Sequence, residues 1–243
     1  MSKRSKKRLD VLLVERGLAE SRSQAQALVL AGRVKGFDKA GEQVDETTAL
    51  EVDAGPRFVS RGGEKLAHAL EAFELDVAGA DCLDVGASTG GFTDCLLQAG
   101  AARVCALDVG HGQLHPRLRD DPRVTVLERL NVRNLDCDDL PFRPAFVTCD
   151  VSFIGLTKAL PPALACAETG WRAVVLVKPQ FEAGPGEVGK GGVVRDPDVQ
   201  RRVVDEVAAS APAWGARVEG TTESPLRGPK GNREFFLYLA GEG

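Results

Sequence analysis

Four charged residues of this 243-residue chain stand in settings suited to proton transfer: Lys65, Asp150, Lys178 and Glu234. They occur within Arg61-Gly62-Gly63-Glu64-Lys65, Cys149-Asp150-Val151-Ser152-Phe153, Leu176-Val177-Lys178-Pro179-Gln180-Phe181-Glu182 and Gly231-Asn232-Arg233-Glu234-Phe235-Phe236. Three of the four follow or open an apolar run that reads as a buried strand. Two lysines and two carboxylates at sheet ends, beside the glycine-rich stretch 84–91, point to an enzyme that deprotonates a poor acid next to a bound cofactor. Any one of these lysines alone would read more simply as half of a surface salt bridge.

The elements that must position them are legible as a pattern. Apolar runs at 82–85, 104–108, 124–127, 145–150, 173–178, 217–221 and 235–240 predict strands, and helical patterns fall near 63–73, 91–99, 112–119, 156–168 and 197–210. The alternation predicts an α/β fold, a doubly wound Rossmann-like parallel sheet with helices on both faces. The last two runs are joined by a short loop, which predicts an antiparallel hairpin at the edge.

Asp84 closes the first of these strands, Gly86, Ala87, Ser88, Thr89, Gly90 and Gly91 form a turn, and Phe92 opens a helix. Small residues let a backbone approach a ligand, and the helix start offers unpaired N–H groups. The next strand ends at Asp108, placed to accept ribose hydroxyls. A nucleoside-bearing cofactor follows. NAD is one candidate, but Ser88 breaks the G-x-G-x-x-G spacing. Asp-x-Gly-x-x-x-Gly-Gly is nearer to the S-adenosylmethionine turn of Rossmann-like methyltransferases, in which the leading acid, here Asp84, helps hold the methionine portion.

Residues 8–54 form a smaller module. Leu9, Leu12 and Leu13 share a helix face, Gly17 stops that helix, and Ser21 caps a second one that ends near Gly32. A short strand is expected at 33–36 and two more between 43 and 53. The pattern Arg8-Leu9-Asp10, Leu18-Ala19, Ser21-Arg22, Ala25 and Leu30-Ala31-Gly32-Arg33-Val34 resembles the S4 RNA-binding domain. The resemblance implies that Arg8, Arg22 and Arg33 meet RNA, with Lys3, Lys6 and Lys7 of a disordered basic arm (1–7) as further contacts. Shape-based recognition suits RNA, whose deep major groove hides the base edges. The plainer alternative is a helical cap with surface arginines. Residues 55–60 read as a linker, and 61–243 as the second domain.

Composition agrees. Residues 1–65 carry a net charge of +3 and the remainder −7, a basic arm on an acidic body. Apolar content of 43% and charged content of 27% are those of a folded protein. No uncharged apolar run reaches the ~18 residues of a membrane span, and 9–13 is too short for a signal-peptide core. A cytoplasmic monomer without membrane association is expected. The six cysteines include no C-x-x-C pair and are expected to be reduced and buried. With His68, His111 and His115 scattered, no metal site is expected.

Lys65, Asp150, Lys178 and Glu234 match the Lys-Asp-Lys-Glu set of FtsJ-like RNA ribose 2′-O-methyltransferases. Together with the S4-like module the chain resembles the TlyA family, historically labelled hemolysin A. Further motifs carry the likeness: Ser60-Arg61-Gly62-Gly63, Gly90-Gly91-Phe92-Thr93-Asp94, Glu128-Arg129-Leu130-Asn131-Val132-Arg133, Gly191-Gly192-Val193-Val194-Arg195-Asp196 and Ser224-Pro225-Leu226. The resemblance covers residues 8–240. It implies S-adenosylmethionine-dependent methylation of a cytidine 2′-hydroxyl in ribosomal RNA, free or in ribosomal subunits. Lys178 is then the general base, Lys65 the cation that favours its neutral form, and Asp150 and Glu234 the groups that position lysines and ribose. Asp150 also steadies the donor, and Asn131 contacts the adenine edge. After Asp108 the chain departs from the family: His111 and His115-Pro116 replace aromatics near the expected adenosine pocket. Phe153 and Phe181 either stack a base or pack in the core. The stretch 184–192 is expected to be a lid that orders on RNA, with Lys190 and Arg195 either meeting phosphates or standing in solvent. Two other classes compete: a non-catalytic ribosome-assembly factor, opposed by the intact tetrad, and a cytolysin, opposed by the lack of a membrane segment.

Overall fold

A computed structural model describes residues 5–53, 55–184 and 186–241. The chain divides into two compact units, Met1–Arg57 and Phe58–Gly243.

In the first unit, β1 (Lys6–Arg8) leads into α1 (Leu9–Glu15), followed by α2 (Arg22–Leu30) and β2 (Gln43–Asp45), which pairs antiparallel with β1. The Ser21 side chain caps α2 by accepting from the Gln24 backbone N–H at 3.2 Å. Leu9, Leu12, Leu13, Ala25, Val29, Val34 and Val44 form the core. Two expectations change. Lys6 and Lys7 belong to β1 and not to a disordered arm, because their backbone finds partners in β2; Lys3 lies outside the described residues. The strand expected at 33–36 is a single Val34–Val52 bridge.

The second unit contains α3 (Arg61–Ala72), β3 (Asp81–Val85), α4 (Gly91–Gln98), β4 (Arg103–Asp108), α5 (Pro116–Arg119), β5 (Val124–Glu128), β6 (Phe146–Cys149), α6 (Leu156–Ala165), β7 (Arg172–Val177), α7 (Pro179–Glu182), α8 (Pro197–Ala209), β8 (Ala216–Glu223) and β9 (Phe235–Gly241). The sheet order is β5-β4-β3-β6-β7-β9-β8. The first five strands run parallel, and β9 is antiparallel to both β7 and β8. Side-chain alternation sorts the strands onto two cores. Leu83, Val85, Leu107, Val147, Val175 and Val177 face α6 and α8 residues such as Leu160 and Val203. Cys82, Val104, Phe146, Val174 and Leu176 face α3 and α4 residues such as Leu66 and Leu96. Burial on both faces explains why the central strands read as unbroken apolar runs.

Residues 58–60, expected as linker, are part of this packing. Phe58 is buried, the Val59 N–H donates to Asp94 Oδ2 at 2.8 Å, and the Ser60 hydroxyl caps α3. The cysteine expectation is also corrected: Cys137 and Cys166 are disulfide-bonded, joining the segment after β5 to the end of α6, while Cys82, Cys95, Cys105 and Cys149 are free and buried. Burial pushes the Cys82 and Cys105 thiols up to about 12, so both are inert. Among the described residues, no helix is long and apolar enough to cross a membrane and no acidic, histidine or cysteine cluster suits a metal.

Candidate active site

The strand order reverses between β3 and β6, and ligands bind outside the carboxyl ends of strands at such a switch point. Val85 and Cys149 are register partners, so the residues that follow them, Gly86 and Asp150, are forced together. Gly86 has φ +83°, and a Cβ there would stand 2.5 Å from the Asp150 carbonyl oxygen. Only glycine meets both conditions.

Two cavities of about 660 and 460 Å³ open here, sharing Gly86, Ser88 and Asp150. Asp108 and Asn131 line the first. Asp108 accepts from the Ser88 N–H at 2.8 Å and the Gly110 N–H at 2.6 Å, which clamps the turn to the end of β4. Asn131 caps the short turn after β5, accepting from the Arg133 N–H at 3.1 Å. Ala87, Thr89, Gly91 and Phe92 line the second, with Lys65 and Arg227 opposite.

Two residues of the predicted cofactor set face neither cavity. Gly90 packs against Leu114 and Leu118 at φ +94°. Asp84 is fully buried, accepting from the Thr93 hydroxyl at 2.6 Å and the Thr148 hydroxyl at 3.0 Å. It braces β3 against β6 and α4 from beneath the turn. Its register partner Thr148 on β6 supplies one of these donors. His111 and His115 also leave the cavity. His111 turns to Glu128 at 3.0 Å and His115 accepts from the Arg117 N–H, while the exposed Val109 and Gln113 take the wall.

Burial raises the Asp84 carboxyl to about 6. Because the folded value lies above the unfolded one, the folded state holds the extra proton between about pH 4 and 6, and stability falls across that window as pH rises. Asp84→Asn removes the ionisation. In denaturant titrations, the difference between variant and wild-type stability should move in the variant's favour from pH 4 to 6 and level off above; a pH-independent difference refutes the assignment.

The tetrad resolves into two ion pairs. Lys178 Nζ lies 2.5 Å from Asp150 Oδ1 and 3.1 Å from the Ser152 hydroxyl, and Lys65 Nζ lies 2.5 Å from Glu234 Oε2. Lys65 is therefore paired with Glu234, and Lys178 with Asp150. Lys178 is held extended at the end of β7 by Pro179, which disfavours the helical region for the residue before it. Lys65 sits on α3, and Glu234 directly precedes β9. Both lysines and Glu234 are at most 9% exposed. Asp150 Oδ1 and Glu234 Oε1 are buried without a hydrogen bond, the first because its short contact with Lys178 lacks hydrogen-bond angles. Such groups are costly unless a ligand engages them.

Sequence reasoning missed two contributors. Ser152 stood within a quoted motif but carried no assigned role. Gly228 leaves the space that the Glu234 carboxylate fills, since a Cβ there would overlap Oε1; nothing local in the sequence announces that. Phe153, left open between stacking and packing, is 92% exposed with φ +66°, and its ring lies 5.1 Å from that of Phe181. In the S4-like unit, Asp10 was also missed. It is fully buried and accepts from Arg8, Arg22 and Gln26 at 2.9–3.0 Å. Hydrogen bonding from Arg8, then Gln26 and Arg22, holds it well below the usual carboxylate range. Lys7 pairs with Glu15 and Glu46, while Lys6 is exposed. The stretch after Gly184 is tied down by Glu187, which meets Arg202 of α8, and by a Gly189–Val193 bridge.

Comparison with known proteins agrees with this geometry. A family model described as FtsJ-like methyltransferase matches residues 58–240, and one for the S4 domain matches residues 7–35. The chain is 52% identical over 238 residues to a Mycobacterium tuberculosis protein named 16S/23S rRNA (cytidine-2′-O)-methyltransferase TlyA, covering 96% of this chain and 89% of that one. It is 40% identical to Hemolysin A of Brachyspira hyodysenteriae, covering 96% and 99%. A solved structure from Streptococcus thermophilus, whose name includes the word hemolysin, is 43% identical with a TM-score of 0.75, covering 98% and 90%. S-adenosylmethionine is the cofactor of such methyltransferases, and the residues present fit it: a cavity of nucleoside size, an acid at the end of β4 and a turn too tight for a side chain at Gly86. By sequence, domain content and site alike, the chain belongs to the FtsJ-like methyltransferase family, in the TlyA group that joins that fold to an S4 domain.

Proposed function

We propose that the chain methylates the ribose 2′-hydroxyl of a cytidine in ribosomal RNA. The observation that carries this reading is the pair of buried lysine–carboxylate contacts beside the two cavities, with Asp150 lining both and Lys65 the second. The naming of the M. tuberculosis relative supplies the substrate class.

Asp108 and Asn131 hold the adenosine portion, and the turn 86–91 takes the remainder beside Asp150. When bound, the cofactor supplies an electrophilic methyl group. Lys178 accepts the proton from the 2′-oxygen. Asp150 and Ser152 fix where its nitrogen points. Lys65, aligned by Glu234, orients the ribose. The exposed Phe153 ring offers a stacking face to an unpaired base, the usual way single-stranded RNA is gripped. Arg8, Arg22, Arg33, Lys6 and Lys7 of the S4 unit supply contacts to structured RNA. Ribosomal RNA as substrate places the work in the cytoplasm, and we infer a monomer.

The test is methyl transfer from labelled S-adenosylmethionine to purified, unmethylated small and large ribosomal subunits. Label on RNA that protects one phosphodiester from alkaline cleavage is expected, since a methylated 2′-oxygen cannot attack its phosphate. No label on either subunit, with cofactor binding demonstrated, rejects the reading in favour of a binding factor.

A further inference from the structure

We propose that a cationic recess beside the methyl-transfer cavities binds a backbone phosphate of the RNA strand that carries the target ribose; the strand's identity rests on the function proposed above. The recess, about 370 Å³, is lined by Arg195, Arg227, Lys230 and Arg233. Four cations around one hollow repel one another. Arg233 is paired with Glu223, but among the described residues neither Arg195 nor Lys230 meets a carboxylate. The unbalanced charge calls for an anion.

The recess is built and not a chance gathering of long side chains. Buried Asn232 accepts from the Val194 N–H at 3.1 Å and donates to the Gly192 carbonyl at 2.9 Å. Buried Gln200 donates to the Val194 carbonyl at 2.7 Å. The Asn232 bonds fasten the segment carrying Arg195 to the turn carrying Lys230, and the Gln200 bond fastens it to α8. Lys230 itself has φ +60°, a conformation that costs a non-glycine residue free energy and persists where the surroundings impose it.

Position identifies the ligand. Arg227 lines both this recess and the cavity that contains Lys65 and Asp150. Its neighbour Gly228 abuts Glu234. An anion here is therefore next to the ribose site, and in a polynucleotide every ribose is flanked by phosphates. Such a contact sets the register of the strand without reading a base.

The double variant Arg195→Gln/Lys230→Asn tests this, asparagine being chosen because it tolerates the left-handed region. Binding to ribosomal subunits is measured against salt concentration. Losing the contact to that phosphate should flatten the slope of log K against log[salt] by about 0.7–0.9. The KM for subunits should rise roughly tenfold, with the turnover number within about twofold and cofactor affinity unchanged. Arg201→Gln, an exposed α8 residue paired with Asp198, should retain the wild-type slope. If the double variant does not fold, Arg195→Gln alone should flatten the slope in the same direction, by no more than about 0.7–0.9. An unchanged slope overturns the proposal, as does loss of binding to phosphatidylglycerol vesicles with RNA binding intact. The slope is read on binding, so a wild-type enzyme that fails to label RNA would refute the function above while leaving this comparison readable.

Discussion

Lys178→Ala is expected to lower the turnover number for methyl transfer by about 10²–10⁴-fold, the usual contribution of a positioned base, while the dissociation constant for S-adenosylmethionine stays near wild type. Lys178 lines neither cavity and meets their walls through Asp150 and Ser152, so its removal leaves Gly86, Asp108 and Asn131 in place. A parallel loss of cofactor binding would sink the base assignment. Lys178→Arg separates proton transfer from charge. Arginine can keep the contact with Asp150 but does not deprotonate in proteins, so it should be as inactive as alanine. A largely active arginine variant would show that the residue works as a fixed cation.

Gly86→Ala should give the opposite phenotype: cofactor affinity falls at least about thirtyfold, with activity failing because the site is not loaded. The new methyl group would sit 2.5 Å from the Asp150 carbonyl oxygen, on a backbone whose φ of +83° disfavours any side chain. The left-handed conformation alone costs about 1–2 kcal/mol. Relief requires the turn to part from the end of β6, and both cavities share that junction. Isothermal titration with S-adenosylhomocysteine reads the loss directly; a variant that binds it as wild type does would mean that the junction yields freely.

The two variants also mark what the sequence made legible. The central strands of the second unit were visible because each is buried on both faces and reads as a run, and three of the tetrad because they abut such a run, Lys65 standing on α3 instead. Pairings across space were not visible. Nothing local assigns Lys65 to Glu234, 169 positions away, or Cys137 to Cys166. A motif records that Asp84 stands on a strand but not that Thr148 of the neighbouring strand supplies a hydrogen-bond donor to it. Gly55-Pro56 reads as a linker and leaves open which unit Phe58 packs against; its burial in the second unit depends on Gly63, where a Cβ would collide with its ring. His111 stands near Asp108 in sequence, but nothing local shows that Glu128 at the end of β5 is its partner.

Asp10 has a consequence for how the first unit meets any anion. Arg8 and Arg22 each hydrogen-bond its one buried carboxylate, yet their side chains remain 45% and 57% exposed. Their torsions are thus fixed before any encounter, and ordering them on binding costs little entropy. The shared carboxylate also cancels one of the two positive charges. The pair behaves less as a diffuse electrostatic attractor than as a rigid gauge: phosphates spaced to meet both guanidinium groups at once are favoured, and arbitrary polyanions gain little from either alone.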